Sequence, residues 1–273
     1  IKGLKNDSWN IGRHMLLMSL CVLVVFPIFW AVITSLKPAN DVFSLSPFPD
    51  HPTLENYHEA FTALPIARML LNTFLMAALV TLGVLVISIC AAYAFLRWHF
   101  FGKNTLFLLF LGTMLIPAQV TILPNYLTLA QLGWLNTLLG LSLPQVATGL
   151  GIFYLRQQLN NFPRELLDAG VIDGANPLRM LWSIILPNMR AVLVALSMII
   201  FIQAWNEYFW PLLVAGNLQN TTIQVGLPVF LQENTSAWGA LMAASIVSLA
   251  PVVVLYILAQ RQIVATFLHS GIR

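Results

Sequence analysis

Six long apolar runs dominate this sequence, at roughly 15–36, 69–96, 106–123, 138–155, 191–215 and 240–259. A helix needs about 20 apolar residues to cross the roughly 30 Å hydrocarbon core of a bilayer. Inside that core every backbone N–H and C=O must find a partner within the protein, and a continuous apolar run does so as a helix. The runs therefore predict an all-α membrane protein of six transmembrane helices, organised as one transmembrane domain over residues 1–273. The third and fourth runs are the weakest, being shorter and interrupted by prolines. The first is too long for the apolar core of a secretory signal. It ends on Ser35-Leu36-Lys37-Pro38 without a small-residue cleavage site, so it is expected to stay as an anchor.

Composition agrees. The chain is 59% apolar and 8% charged, whereas soluble domains are about a quarter charged. A soluble fold so poor in charge would expose large apolar patches and aggregate. The few charges are scattered through short loops and form no basic patch, which argues against nucleic acid as a partner. Cys21 and Cys90 lie inside apolar runs and read as small core residues with no disulfide or metal pattern. His14, His99 and His269 fall at helix ends and His51 and His58 in a loop, with no helical metal-ligand spacing. The chain opens on Ile1 rather than Met, so a few further N-terminal residues are expected.

Loop charge sets an orientation. With a cytoplasmic N-terminus and six crossings, Lys2, Lys5, Arg13, Arg97, Lys103, Arg156, Arg164, Arg179, Arg190, Arg261 and Arg273 lie inside, and only Lys37 and Arg68 outside. Cationic loops stay cytoplasmic, so both termini are expected in the cytoplasm. Asp41, Asp50, Glu55, Glu59 and Glu233 then fall outside. The first outer loop is rich in proline and reads as extended with short helical pieces.

The longest inner loop, 156–190, has the most ordered pattern. It reads Phe162-Pro163-Arg164-Glu165-Leu166-Leu167-Asp168-Ala169-Gly170-Val171-Ile172-Asp173-Gly174-Ala175-Asn176-Pro177 and continues to Ile184-Ile185-Leu186-Pro187. Pro163 suits the first position of a short helix. Asp173-Gly174 ends it, glycine supplying the left-handed conformation. Asn176 then caps a second helix that starts at Pro177. Small Ala169 and Gly170 permit a close approach by another surface. Leu166, Leu167, Val171 and Ile172 give an apolar face to a loop that should be wet, and such a face requires a partner.

These residues resemble the signature of the ABC importer permeases: Glu-Ala-Ala, three residues, Gly, nine residues, Ile, one residue, Leu-Pro. Here the matching positions are Asp168-Ala169-Gly170, Gly174, Ile184 and Leu186-Pro187, with Asp168 in place of Glu and Gly170 in place of the second Ala. The resemblance implies a type I importer permease architecture. It also implies a coupling helix that docks in a cleft of an ATPase subunit through Glu165, Asp168, Ala169, Gly170, Asp173, Gly174, Ile184, Leu186 and Pro187. Shorter features extend the likeness to the carbohydrate-type branch, that of the second maltose permease and its glycerol-3-phosphate counterpart. They include Leu54-Glu55-Asn56-Tyr57, Ala91-Ala92-Tyr93-Ala94, Pro117-Ala118-Gln119, Leu132-Gly133-Trp134-Leu135-Asn136-Thr137 and Trp205-Asn206-Glu207-Tyr208-Phe209-Trp210-Pro211.

Glu207 is the one carboxylate inside an expected span, and an intramembrane charge usually faces a cavity or partner. With Gln203 and Asn206 it forms a polar stripe that either lines a solute path or lets Glu207 reach interfacial water beside Trp205, Tyr208 and Trp210. Pro117 and Pro124 either gate the third helix or merely kink it.

The expectation is the permease subunit of an ATP-driven, binding-protein-dependent importer, forming half of a pathway for a sugar or oligosaccharide. Glycerol 3-phosphate or a glycerophosphodiester is the alternative solute. A proton-coupled secondary transporter using Glu207 is a further alternative. The expected partners are a second homologous permease, two ATPase subunits that bind ATP and Mg, an extracytoplasmic solute-binding protein and the bilayer of a bacterial or archaeal cytoplasmic membrane. The chain itself is expected to be no enzyme and to bind no metal or cofactor.

Overall fold

The structure, a computed structural model, describes residues 2–44, 46–231 and 237–270, and side chains from residue 11 to 262 within them. Glu233 and Arg273 lie outside the described residues, as do the side chains of Lys2, Lys5 and His269. The helices in chain order are α1 (Lys2–Ser35), α2 (Glu55–Ala63), α3 (Ile66–Arg97), α4 (Lys103–Thr113), α5 (Ala118–Gln131), α6 (Leu138–Val146) and α7 (Gly149–Asn160). They continue as α8 (Arg164–Ile172), α9 (Pro177–Met180), α10 (Leu186–Asn188), α11 (Arg190–Trp205), α12 (Phe209–Val214), α13 (Ile223–Gly226) and α14 (Trp238–Ser270). Among the described residues there is no strand.

Three of these helices, α1, α3 and α14, are long and apolar enough to cross a bilayer unbroken. The remaining expected spans are broken. Between α4 and α5 the chain bends by 91°, between α6 and α7 by 46°, and before α11 by 80°. Counting each bent pair as one crossing brings the number to six by length and composition. The runs 106–123 and 138–155, expected as the weakest spans and interrupted by prolines, are each a pair of helices. The physical cause of the sharpest break is Pro117, which lacks an N–H and pushes the preceding residue out of the helical region. Pro124, by contrast, stays inside α5.

The fifth run is corrected. It is helical to Trp205, opens over 206–208 and resumes as α12. Pro211 has no N–H to give the Glu207 carbonyl, which favours an opening there.

The chain forms two compact units. The first comprises Ile1–Ile66 with Leu227–Ala250. Within it, two motifs of the first outer loop interlock. Buried Asn56 donates from Nδ2 to the carbonyls of Ser35 at 2.9 Å and Lys37 at 2.7 Å. The Ser35 and Tyr57 hydroxyls lie 2.9 Å apart. Lys37, expected as an outer loop charge, is instead fully buried. Its Nζ donates to the carbonyls of Ser44 at 2.9 Å and Ser46 at 2.8 Å and to Ser44 Oγ at 3.2 Å, beneath the face of Trp30. A buried ammonium is tolerated where all its donors find acceptors.

The second unit, Ala67–Gly226 with Pro251–Arg273, holds the larger core. Met76, Val84, Leu155, Leu196, Ile200 and Trp205 are among its buried side chains. Lipid is as apolar as these residues, so helices here gain from close packing more than from escaping water. Arg156, assigned to the inner loop, lies within α7, its guanidinium 3.5 Å from the Phe107 ring centroid. The loop between α5 and α6 is tied to the one after α12 by Asn136, a non-glycine residue with φ of 60°. Its N–H donates to Val214 O and its Oδ1 accepts from Gly216 N–H, both at 2.9 Å.

Candidate functional site

The loop 161–189 folds as the residue pattern requires, with local adjustments. Helix α8 begins at Arg164, so Pro163 is the residue before its first turn rather than the first helical one. Glu165 lies in that first turn, where a carboxylate complements the helix dipole. The helix ends in a full Schellman motif. Ala175 N–H bonds Gly170 O at 2.9 Å, Gly174 N–H bonds Val171 O at 3.0 Å, and Gly174 has φ of 69°. Asn176 Oδ1 accepts from Arg179 N–H at 2.8 Å and Pro177 opens α9, as expected. The Tyr93 hydroxyl donates to Pro177 O at 3.0 Å and fastens this start to α3.

Beyond α9 the chain makes one π-helical turn, Leu181–Ile185, and then bends at Met189 into α11. A π turn carries an extra residue and is common at functional positions. Asn188 Nδ2 reaches back to Ile184 O at 2.6 Å, giving a partner to a carbonyl near Pro187.

The family-pattern residues divide by role. Glu165, Asp168, Ala169, Asp173 and Gly174 are exposed, whereas Gly170 and Ile185 are buried and Ile184, Leu186 and Pro187 are half-buried. The close approach at Gly170 comes from this chain: a Cβ there would stand 2.6 Å from Ile184 Cδ1. The small residue therefore serves the packing of α8 onto the π turn, and Ala169 alone of the pair faces outward.

Part of the outward surface is apolar. Ile172 is 85% exposed and Leu178 and Trp182 each 68%, with Val171 and Leu166 beside them. Leu178 and Trp182 were not singled out from the sequence. The signal was present, since apolar residues four apart on a capped helical segment lie on one face.

Gln203, Asn206 and Glu207 do not form a stripe on one helix. Gln203 is exposed on α11, Asn206 is the residue after its last turn, and half-buried Glu207 stands in the break. Asn206 Nδ2 donates to Ile202 O at 2.8 Å and Glu207 Oε1 accepts from Trp210 N–H at 3.1 Å, so the two side chains finish the broken helix ends. The Trp210 indole donates to Gly140 O at 3.1 Å and anchors α12 on α6. Among the described residues no group of His, Cys, Asp or Glu could hold a metal ion.

Known proteins resemble this chain over nearly its whole length. The sn-glycerol-3-phosphate transport system permease protein UgpE of Escherichia coli O1:K1 is 32% identical over 98% of this chain and 99% of its own length. The same protein of Agrobacterium fabrum is 33% identical over 91% of this chain and 92% of its own. In fold the chain is similar to one chain of a bacterial ABC transporter involved in the import of the acidic polysaccharide alginate. The TM-score is 0.80 at 20% identity, over 94% of this chain and 97% of that one. Residues 83–267, which contain the whole of α8 to α12, match the family described as binding-protein-dependent transport system inner membrane component, and the chain belongs to that family.

Proposed function

We propose that this chain forms half of the translocation pathway of an ATP-driven importer whose solute is a sugar or oligosaccharide. The observation that carries the reading is the exposed apolar face of Ile172, Leu178 and Trp182 around a helix fixed by caps at both ends. A rigid apolar knob in water gains by entering a cleft of another protein. The knob fits a cleft of an ATPase subunit, and Glu165, Asp168, Ala169 and Asp173 stand at its edge. ATP and Mg are then bound by two such subunits and none by this chain, which hydrolyses nothing itself. A second, homologous permease completes the pathway, and an extracytoplasmic binding protein delivers the solute.

In this reading residues 1–273 work as one six-span permease domain of type I architecture in a bacterial or archaeal cytoplasmic membrane, with both termini inside. Gln203, Asn206 and Glu207 line the path. Support comes from the break at 206–208, because irregular backbone at membrane depth is tolerated where it is buried or borders water. Glycerol 3-phosphate or its diesters form the second reading, favoured by the names of the relatives.

Reconstitution with and without the ATPase subunits tests the core of the proposal. Uptake is expected only with the ATPases and ATP. Uptake by the permeases without them, abolished by Glu207→Gln, would assign a proton-coupled carrier instead. Competing sugars and glycerol phosphates in the same vesicles separate the two solute classes. With Cys21 and Cys90 replaced, Asp50→Cys is expected to label from outside intact cells and Asn176→Cys only after permeabilisation.

A further inference from the structure

A cavity of about 400 Å³ opens where the end of α3, the start of α4 and the flank of α8 meet. Its rim is cationic: Arg97, His99, Lys103 and Arg164 line it, against the single carboxylate of Asp168. Three permanent cations against one anion leave the cavity positive. Its inner wall is apolar, built from Leu159, Phe162 and Leu167 among others. Lys103 gives one donor to Trp98 O at 3.2 Å and keeps two for a ligand.

A second observation concerns the turn that carries these cations, Arg97-Trp98-His99-Phe100-Phe101-Gly102-Lys103. Phe101 is 105% exposed, Trp98 47% and Phe100 41%. Large aromatics left bare beside a helix end are suited to the boundary between headgroups and acyl chains. The turn thus alternates groups that favour acyl boundary with groups that bind anions.

We infer that this cavity binds the phosphate of an anionic lipid headgroup, with Phe100 and Phe101 set against the lipid's acyl region. Guanidinium and ammonium donors match the oxygens of a phosphate, and basic pockets between helices on the cytoplasmic side suit anionic headgroups. A free phosphate would use the same cations but has no use for the bare aromatics, which is why the lipid is preferred. The placement at the cytoplasmic headgroup level rests on the orientation proposed above. Arg164, Leu167, Asp168 and Val171 belong to α8, so a bound headgroup touches the flank of the coupling helix and makes transport responsive to lipid charge.

The test uses the assembled importer in nanodiscs of equal phosphatidylglycerol and phosphatidylcholine, with retained lipid counted by native mass spectrometry. Phosphatidylglycerol is expected to be retained over phosphatidylcholine. Arg97→Gln and Lys103→Gln are each expected to weaken that retention about fivefold. Phe101→Ser, at a side chain with no packing to lose, is expected to weaken it as well and covers the event that the charge variants fail to assemble. Equal retention of the two lipids, or a preference that survives the substitutions, overturns the proposal. Displacement of the lipid by millimolar inorganic phosphate gives the site to free phosphate and overturns it too. So does a cross-link from Arg97→Cys into an ATPase subunit. ATP-driven uptake by the wild type is recorded in the same particles reconstituted into vesicles, so loss of the lipid site and loss of the importer reading are separate results.

Discussion

The backbone N–H of Trp210 donates to Oε1 of Glu207 at 3.1 Å, which makes a carboxylate at a helix break a cap for the segment that follows. The negative charge also complements the first turn of α12. Glu207→Gln retains an acceptor oxygen for Trp210 and is expected to lower the melting temperature of the assembled importer only slightly, through the lost charge. Glu207→Ala removes it, at a cost of about 1 kcal/mol. If the same carboxylate meets solute in the path, Glu207→Gln raises the apparent KM, since a charge-assisted hydrogen bond is about twice as strong as a neutral one. Uptake against concentration at matched expression decides this, and superimposable curves would remove the solute contact while leaving the cap.

Gly174 holds the left-handed turn at φ of 69°. Gly174→Val is expected to cost more than about 1 kcal/mol in that turn and to swing α9 away from α8. Membrane insertion should stay normal while ATP hydrolysis no longer drives uptake. Gly174→Asn, which tolerates the conformation, should keep most of the coupling. The ratio of solute moved to ATP consumed is the measurement, and wild-type coupling in the Val variant would refute the assignment.

Gly170 and Ile184 form a reciprocal pair, with 2.6 Å between Ile184 Cδ1 and the place of a Cβ on Gly170. Ile184 can move its terminal methyl slightly, and alanine favours a helix by about 1 kcal/mol over glycine. Gly170→Ala is therefore expected to be close to neutral. Gly170→Val adds bulk that one methyl shift cannot absorb and should lower both stability and coupled uptake. Ile184→Ala in the same chain should restore part of the loss. Additive effects in that double-mutant cycle would show that the two side chains do not meet.

Lys37→Met keeps length and removes the ammonium. It strands the carbonyls of Ser44 and Ser46, at about 1–3 kcal/mol for each buried acceptor that finds no water. The expected result is a loop near 38–48 that is cut earlier by protease added on the side the loop faces, with α1 still inserted. Unchanged cleavage would mean that the loop is held elsewhere.

Much of this molecule was legible in its sequence, for physical reasons that differ by place. Helices α1, α3 and α14 follow from long apolar runs, which stay helical even across Pro27 and Pro251. The turn at Gly174 and the caps at Asn176 and Pro177 were readable because each rests on one residue's own conformational or hydrogen-bonding preference. The bends of 91°, 46° and 80° were not, since summed hydropathy carries no direction. A kink at Pro117 was expected but not its angle, and Pro211 marks the separate opening at 206–208. The burial of Lys37 was not readable, because its three acceptors converge on it only in the folded loop. The role of Gly170 depends on Ile184, fourteen positions away, and no local rule joins them.

The π turn at Leu181–Ile185 holds a spare residue between α8 and α11. A π turn takes roughly one residue more than an α turn, so removing one position here and letting the segment relax to α geometry would leave the direction of Ile172 nearly unchanged. A deletion inside α11 has no such reserve: one residue of α-helix turns the chain by about 100°, which would swing Ile172 and Trp182 into a different quarter with the local contacts of α8 preserved. Loss of one residue is thus absorbed at the wide turn and costly one helix later.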